Sequence, residues 1–171
     1  MRPNYVNWLS CGRRHFSADL FITGWLEHLG IAFDVITEED LDEGGAEALR
    51  PYDVVITGSH PEYPTVAEYE AIEQYIDGSG KVMYLGANGF YWVASYTDEQ
   101  RNGIEVRRGY TSQRNWTSHP AELYHSSSGE LGGTWRHRGY DTNPVFGIGM
   151  AAVGWAGASG YRRTPTAGTR N

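Results

Sequence analysis

Apolar residues change period several times along the first ninety positions, and each change marks an element. Leu20, Phe21, Trp25, Leu26 and Leu29 recur at helical spacing behind Ser17, an N-cap candidate, with Asp19 in the first turn and Gly30 placed to end the helix. Tyr5 to Ser10 reads as a strand before it, followed by a Gly12-Arg13-Arg14 turn, and Ala32 to Thr37 reads as a second strand. The acidic run Glu38 to Glu43 with Gly44 and Gly45 reads as a short solvated helix and loop. Val54, Val55 and Ile56 form a continuous apolar run, the pattern of a strand covered on both faces. Thr65 and Glu68 make a capping box before the stripe Val66, Tyr69, Ile72 and Ile76, which Asp77 to Gly80 closes. Lys81 to Gly86 is a fourth strand, opening through Ala87-Asn88-Gly89 into a sharp turn and an expected helix.

This alternation predicts an α/β fold of three layers, a mostly parallel sheet with helices on both faces. Beyond Tyr96 the period degrades. Ile104 to Arg108 alternates as a strand, and Val145 to Trp155 reads as one or two glycine-interrupted strands. Between them, Thr111 to Asp141 is long, irregular and rich in Ser, Gly, His and Trp, as segments that cover a site tend to be. One domain over 1–163 and a frayed tail over 164–171 is the expected organisation.

The chemistry gathers after the third strand, at Ser59-His60-Pro61-Glu62. Pro61 disfavours the α region for His60, and side chains two apart on extended backbone share a side. His60 and Glu62 should therefore face one space beyond the carboxyl end of a sheet strand, where open α/β sheets bind ligands. If the third and fourth strands are neighbours, Asn88 approaches the same space. A carboxylate can ligate a hard metal or act as a base, an imidazole can ligate or shuttle a proton, and an amide can orient a carbonyl or a water. The competing reading makes the segment a turn that caps the next helix.

The turn around Asn88 has the form of a nucleophile elbow, but asparagine is no nucleophile, which disfavours a covalent acyl-enzyme there. Cys11 lies in a different loop and reads as an ordinary thiol; a cysteine-dependent amidotransferase would need it. His125 and Glu130 could stand behind the site if their loop folds over the sheet edge, although aromatic lid packing is the commoner outcome.

Charge and composition narrow the partners. With 14 basic and 21 acidic residues in 171, the formal charge is −7, which argues against a nucleic-acid backbone as ligand and leaves Arg107-Arg108 and Arg162-Arg163 as surface pairs. A single cysteine excludes an internal disulfide and fits a reducing, cytoplasmic setting. No apolar run approaches the roughly 20 residues of a membrane span. Aromatic residues make up 13% of the chain, and with the glycines of the second half they suggest that packing partners lie outside it.

The segments RPNYVNW, FSADLFITGWLEHLGIAFDVITEEDL, PYDVVITGSHPEYPT, DGSGKVMYLGANGFYW and YHSSSGELGGTWRHRG resemble the large subunit of N,N-dimethylformamidases, nearly to Arg163. That resemblance implies a flavodoxin-like, class I glutamine amidotransferase-like sheet without the catalytic cysteine. It also implies hydrolysis of small N-substituted formamides to amine and formate at a mononuclear, ferric iron held by two tyrosines and a glutamate. The glutamate matches Glu62, a site histidine matches His60 and a site asparagine matches Asn88. Both ligand tyrosines would lie upstream of the RPNY segment. The chain is thus expected to be an internal fragment that holds iron weakly and is inactive alone, with the rest of its subunit, a small subunit and further copies as partners. The alternative is a non-catalytic α/β binding or oligomerisation domain.

Overall fold

The computed structural model describes residues 15–109, 111 and 120–149; Cys11, Arg162, Arg163, the expected strand over 5–10, the turn over 12–14 and the tail lie outside them. Its elements are α1 (Phe16–Leu29), α2 (Glu38–Leu49), β1 (Val54–Ile56), α3 (Val66–Asp77), β2 (Lys81–Met83), β3 (Ser95–Tyr96), β4 (Ile104–Glu105) and α4 (Thr142–Phe146), with 3-10 turns at Pro120–Leu123 and Trp135–Arg138. β1 pairs with β2 in parallel, Val55 opposite Val82, and β3 pairs with β4 antiparallel, Ser95 opposite Glu105. A parallel pair needs a crossover, and the loop over 57–65 with α3 supplies it.

Both capping boxes at the helix starts follow from local chemistry. Thr65 Oγ1 accepts from Glu68 N at 3.2 Å while Glu68 Oε2 accepts from Thr65 N at 3.1 Å. Thr37 and Asp40 do the same for α2. Each satisfies two amides that a helix start leaves without partners. α2 runs past the expected loop to Leu49, bending where Gly45 takes φ 56°, ψ −150°, a conformation glycine tolerates.

The core is aromatic and lies between α3 and the second half of the chain. Leu49, Tyr69, Ile72, Tyr75, Phe90, Val93 and Trp135 are buried together. Tyr69 stacks on Trp135 with ring centres 4.7 Å apart and meets Phe90 and Tyr140 edge-on at 5.7 and 5.4 Å. Such pairs contribute about 0.5–1.5 kcal/mol each beyond the area they bury.

Several sequence expectations fail, each for a tertiary reason. α1 starts at Phe16 with His15 as N-cap, two residues before Ser17, which therefore lies inside the helix. Of its predicted stripe only Leu26 is buried; Leu20, Phe21, Trp25 and Leu29 are exposed, Phe21 by 80%. Residues 31–37 form no strand, since no described strand offers them a ladder, although Ile36 still packs against the core. Val54 is 42% exposed, so β1 is not covered on both faces. No helix follows the turn at Asn88: the amides of Val93 and Ala94, which would begin its i→i−4 ladder, donate instead to the Gly133 and Pro64 carbonyls. The strand expected over 104–108 stops at Glu105. Residues 142–146 are helical, capped by Asp141 and ended by Gly147 at φ 70°, so the expected strand from Val145 to Trp155 begins inside a helix; 150–155 lie outside the described residues.

Candidate functional site

β1 and β2 leave the sheet side by side, and their loops stay paired. Ala87 N donates to Ser59 O at 3.0 Å, Phe90 N to Pro61 O at 2.7 Å and Trp92 N to Glu62 O at 2.9 Å. Leu85 N donates to Thr57 Oγ1 at 3.1 Å. The close approach requires glycine at 86: a Cβ there would collide with Pro61 Cδ and come within 2.8 Å of the Gly58 carbonyl oxygen. The turn then passes through Asn88 at φ 50° and Phe90 at φ 52°, two left-handed residues that aim the chain back along the 58–62 loop. Asn88 is half-buried, in the strand of chain that lies against His60 and Glu62.

His60 and Glu62 do share a space, but not on the extended backbone the sequence suggested: Glu62 N donates to His60 O at 2.8 Å, closing a three-residue turn around Pro61. His60 Nδ1 lies 3.2 Å from Glu62 Oε2, with side-chain exposures of 14% and 8%. The alignment is not that of a hydrogen bond, so Oε2 is a buried carboxylate oxygen without a hydrogen-bond partner. A buried lone pair in that state is costly, and marks a place where the protein keeps an acceptor in reserve. Asp19 Oδ1 accepts from Ser59 N at 2.7 Å, tying the first turn of α1 to the loop. The His15 ring stacks on His60 with centroids 4.1 Å apart and planes 19° apart. Neither contact was visible in the sequence, because a capping position carries no signal about what a distant loop will press against it. Among the described residues no group of three His, Cys, Asp or Glu side chains gathers as a metal cage.

His125 and Glu130 belong to a different cluster. His125 is 1% exposed, and its Nδ1 lies 2.6 Å from Ser95 Oγ, which also contacts Ser128 Oγ at 2.9 Å and Glu130 Oε2 at 3.4 Å. Burial lowers the His125 pKa, which favours the neutral ring. Glu105 fastens the same loop, accepting from the amides and hydroxyls of Ser126 and Ser127 and from Arg107 Nε. Burial opposes its ionisation, yet those donors hold its carboxyl well below the usual range. The cluster locks the 124–131 loop onto β3 and β4, and none of these contacts reaches His60 or Glu62.

A third polar group sits at the start of α3. Glu68 is 4% exposed, and burial, reinforced by Glu38, pushes its pKa up to about 8 against the Thr65 amide that lowers it. Burial, with Glu68 and neighbouring acids, also raises Tyr96.

The described elements make a protein of mixed α and β structure whose imidazole and carboxylate stand beyond the carboxyl ends of a parallel strand pair. A family profile described as "N,N-dimethylformamidase beta subunit-like, C-terminal" matches residues 1–170, and the chain belongs to that family. N,N-dimethylformamidase beta subunits of Paracoccus aminophilus and of an Alcaligenes species are each 44% identical to it over 146 residues, 84% of this chain. The chain spans about a fifth of the length of those relatives, 19% of each. Among the described residues no helix is long and apolar enough to cross a membrane.

Proposed function

We infer that this chain carries the His60, Glu62 and Asn88 part of an amidase site that hydrolyses small N-substituted formamides, dimethylformamide being the type. Supporting this are the family membership and the buried His60–Glu62 pair beside the Asn88 turn. The fold that goes with this reading is three-layered and flavodoxin-like, of the class I glutamine amidotransferase type; the parallel β1–β2 pair with its α3 crossover is consistent with it.

The unpartnered Glu62 Oε2 fits one anionic ligand of a mononuclear ferric iron, with two phenolates arriving from outside this chain. Such an ion, when bound, would supply Lewis acidity toward a formyl oxygen. His60 would take the proton of the attacking water and deliver it to the departing amine, so that formamide and water become formate and amine. The Glu62 carboxylate, 3.2 Å from Nδ1 without the alignment of a hydrogen bond, would favour the charged ring between the two transfers by its proximity. Asn88 would hold the carbonyl or the water through its amide. The rest of the subunit, a small subunit and further copies would complete the enzyme in the cytoplasm, and residues 1–171 alone would turn over little or no substrate.

The test is formate release from dimethylformamide by the enzyme expressed from its complete reading frame. Glu62→Gln should abolish both turnover and retained iron while circular dichroism stays unchanged. Undiminished iron content and turnover would instead favour a non-catalytic domain.

A further inference from the structure

His15 occupies a position that its own helix does not explain. It is the N-cap of α1 at φ 63°, ψ −26°, a left-handed backbone, and its side chain makes no capping hydrogen bond. N-caps are normally Ser, Thr, Asp or Asn in extended conformation, whose side-chain oxygen accepts a helix amide. Strained backbone without a local return is found where the surrounding structure uses the residue for something else. Here its ring lies flat on His60, 4.1 Å between centroids.

The backbone around it is anchored to the same loop. Ser59 Oγ donates to His15 O at 3.5 Å, and Ser59 N donates to Asp19 Oδ1 at 2.7 Å. The first turn of α1 is thereby held against residues 58–60, and the left-handed bend at 15 is what turns the imidazole over His60. The His60 ring is then held over its face by His15, while its Nδ1 edge lies 3.2 Å from Glu62 Oε2 without hydrogen-bond alignment. With Nδ1 turned to the carboxylate, Nε2 is the nitrogen left to meet a reacting group.

The stack also separates two roles that a His–His–carboxylate set could play. In two nearly parallel rings, 19° apart, the nitrogen lone pairs lie in separate parallel planes. They cannot converge on a single ion as ligands of a shared site must. His15 is therefore a platform for His60 and no third ligand beside Glu62.

We propose that His15 is a positioning residue for the amidase site, fixing the plane of the His60 imidazole so that Nε2 addresses the substrate. This rests on the reading of His60 as the proton-transfer group. Because orienting partners of site residues typically contribute about 10- to 100-fold to activity, that is the size of effect to expect.

Two variants separate positioning from mere structure. His15→Asn suits a left-handed N-cap better than histidine but removes the ring, so a purely structural role predicts equal or higher stability and wild-type turnover. His15→Phe keeps a flat ring and the same backbone demand. In the 171-residue chain, the His60 Hε1 resonance should move downfield in His15→Asn, as the ring current of His15 is lost, and return upfield in His15→Phe. In the complete enzyme, His15→Asn should lower kcat for dimethylformamide about 10- to 100-fold with KM little changed, and His15→Phe should recover most of it. The proposal is overturned if His15→Asn leaves either the resonance or kcat at its wild-type value, or if His15→Phe restores the stack without turnover. Should Glu62→Gln leave turnover intact, the amidase reading fails on its own, while the His60 resonance still reports whether His15 sets that ring.

Discussion

Glu68 makes the stability of this protein depend on pH in a direction opposite to that of most carboxylates. As the third residue of a helix, an ionised glutamate would gain about 0.3–1 kcal/mol from the helix dipole. Burial outweighs that gain: Glu68 is 4% exposed with Glu38 nearby, and its pKa rises from 4.5 to about 8. Below pH 4.5 the group is neutral in folded and unfolded chain alike. Between 4.5 and 8 the folded state holds a proton here that the unfolded state releases, so this group's contribution to stability falls by about 1.4 kcal/mol per pH unit, or about 5 kcal/mol across the window. Glu68→Gln keeps an oxygen to accept from Thr65 N and cannot ionise. Urea unfolding of both chains, followed by tryptophan fluorescence at pH 5, 6, 7 and 8, should give similar stabilities at pH 5 and a widening advantage for the variant above it. Parallel profiles would show that burial does not govern this carboxyl. The consequence reaches the site, because the Thr65–Glu68 capping box begins three residues after Glu62.

Other substitutions probe the remaining contacts. Gly86→Ala should destabilise the chain by about 1–3 kcal/mol in thermal unfolding, since its Cβ has no room between Pro61 and the Gly58 carbonyl. Ser95→Ala should cost about 1–3 kcal/mol in urea by leaving His125 Nδ1 buried without its partner. His125, held neutral in the fold and free to protonate when unfolded, contributes a slope opposite to that of Glu68 as pH falls below about 6.5, so His125→Gln should gain on wild type progressively from there toward acid pH. Trp135→Ala, which empties the stack on Tyr69, should cost about 3–5 kcal/mol in the same assay.

The elements legible in the sequence are those whose causes are local. The Thr65–Glu68 capping box, the Tyr69 and Ile72 stripe and the αL end at Gly30 all arise from residues within a turn of one another, and all are present; His60 and Glu62 share a side as expected, but through a tight turn at Pro61 in place of extended backbone. The left-handed backbone at Asn88 has a local cause too, being a conformation asparagine accepts.

What the linear pattern could not hold was the choice of partner. Residues 32–37 have strand periodicity, yet a strand exists only where another chain segment accepts its hydrogen bonds, and here none of the described strands does. The residues after Asn88 suit a helix, but the Val93 and Ala94 amides that would begin its ladder are claimed by the distant Gly133 and Pro64 carbonyls. The stack of His15 on His60 spans forty-five positions of sequence and depends on where α1 is anchored, by Ser59 and Asp19. Periodicity and capping chemistry determined which segments would be ordered and which side chains shared a side. Competition among segments for the same hydrogen bonds and the same covered surface, a property of the folded whole, decided which of those segments met and what the imidazole at 60 would face.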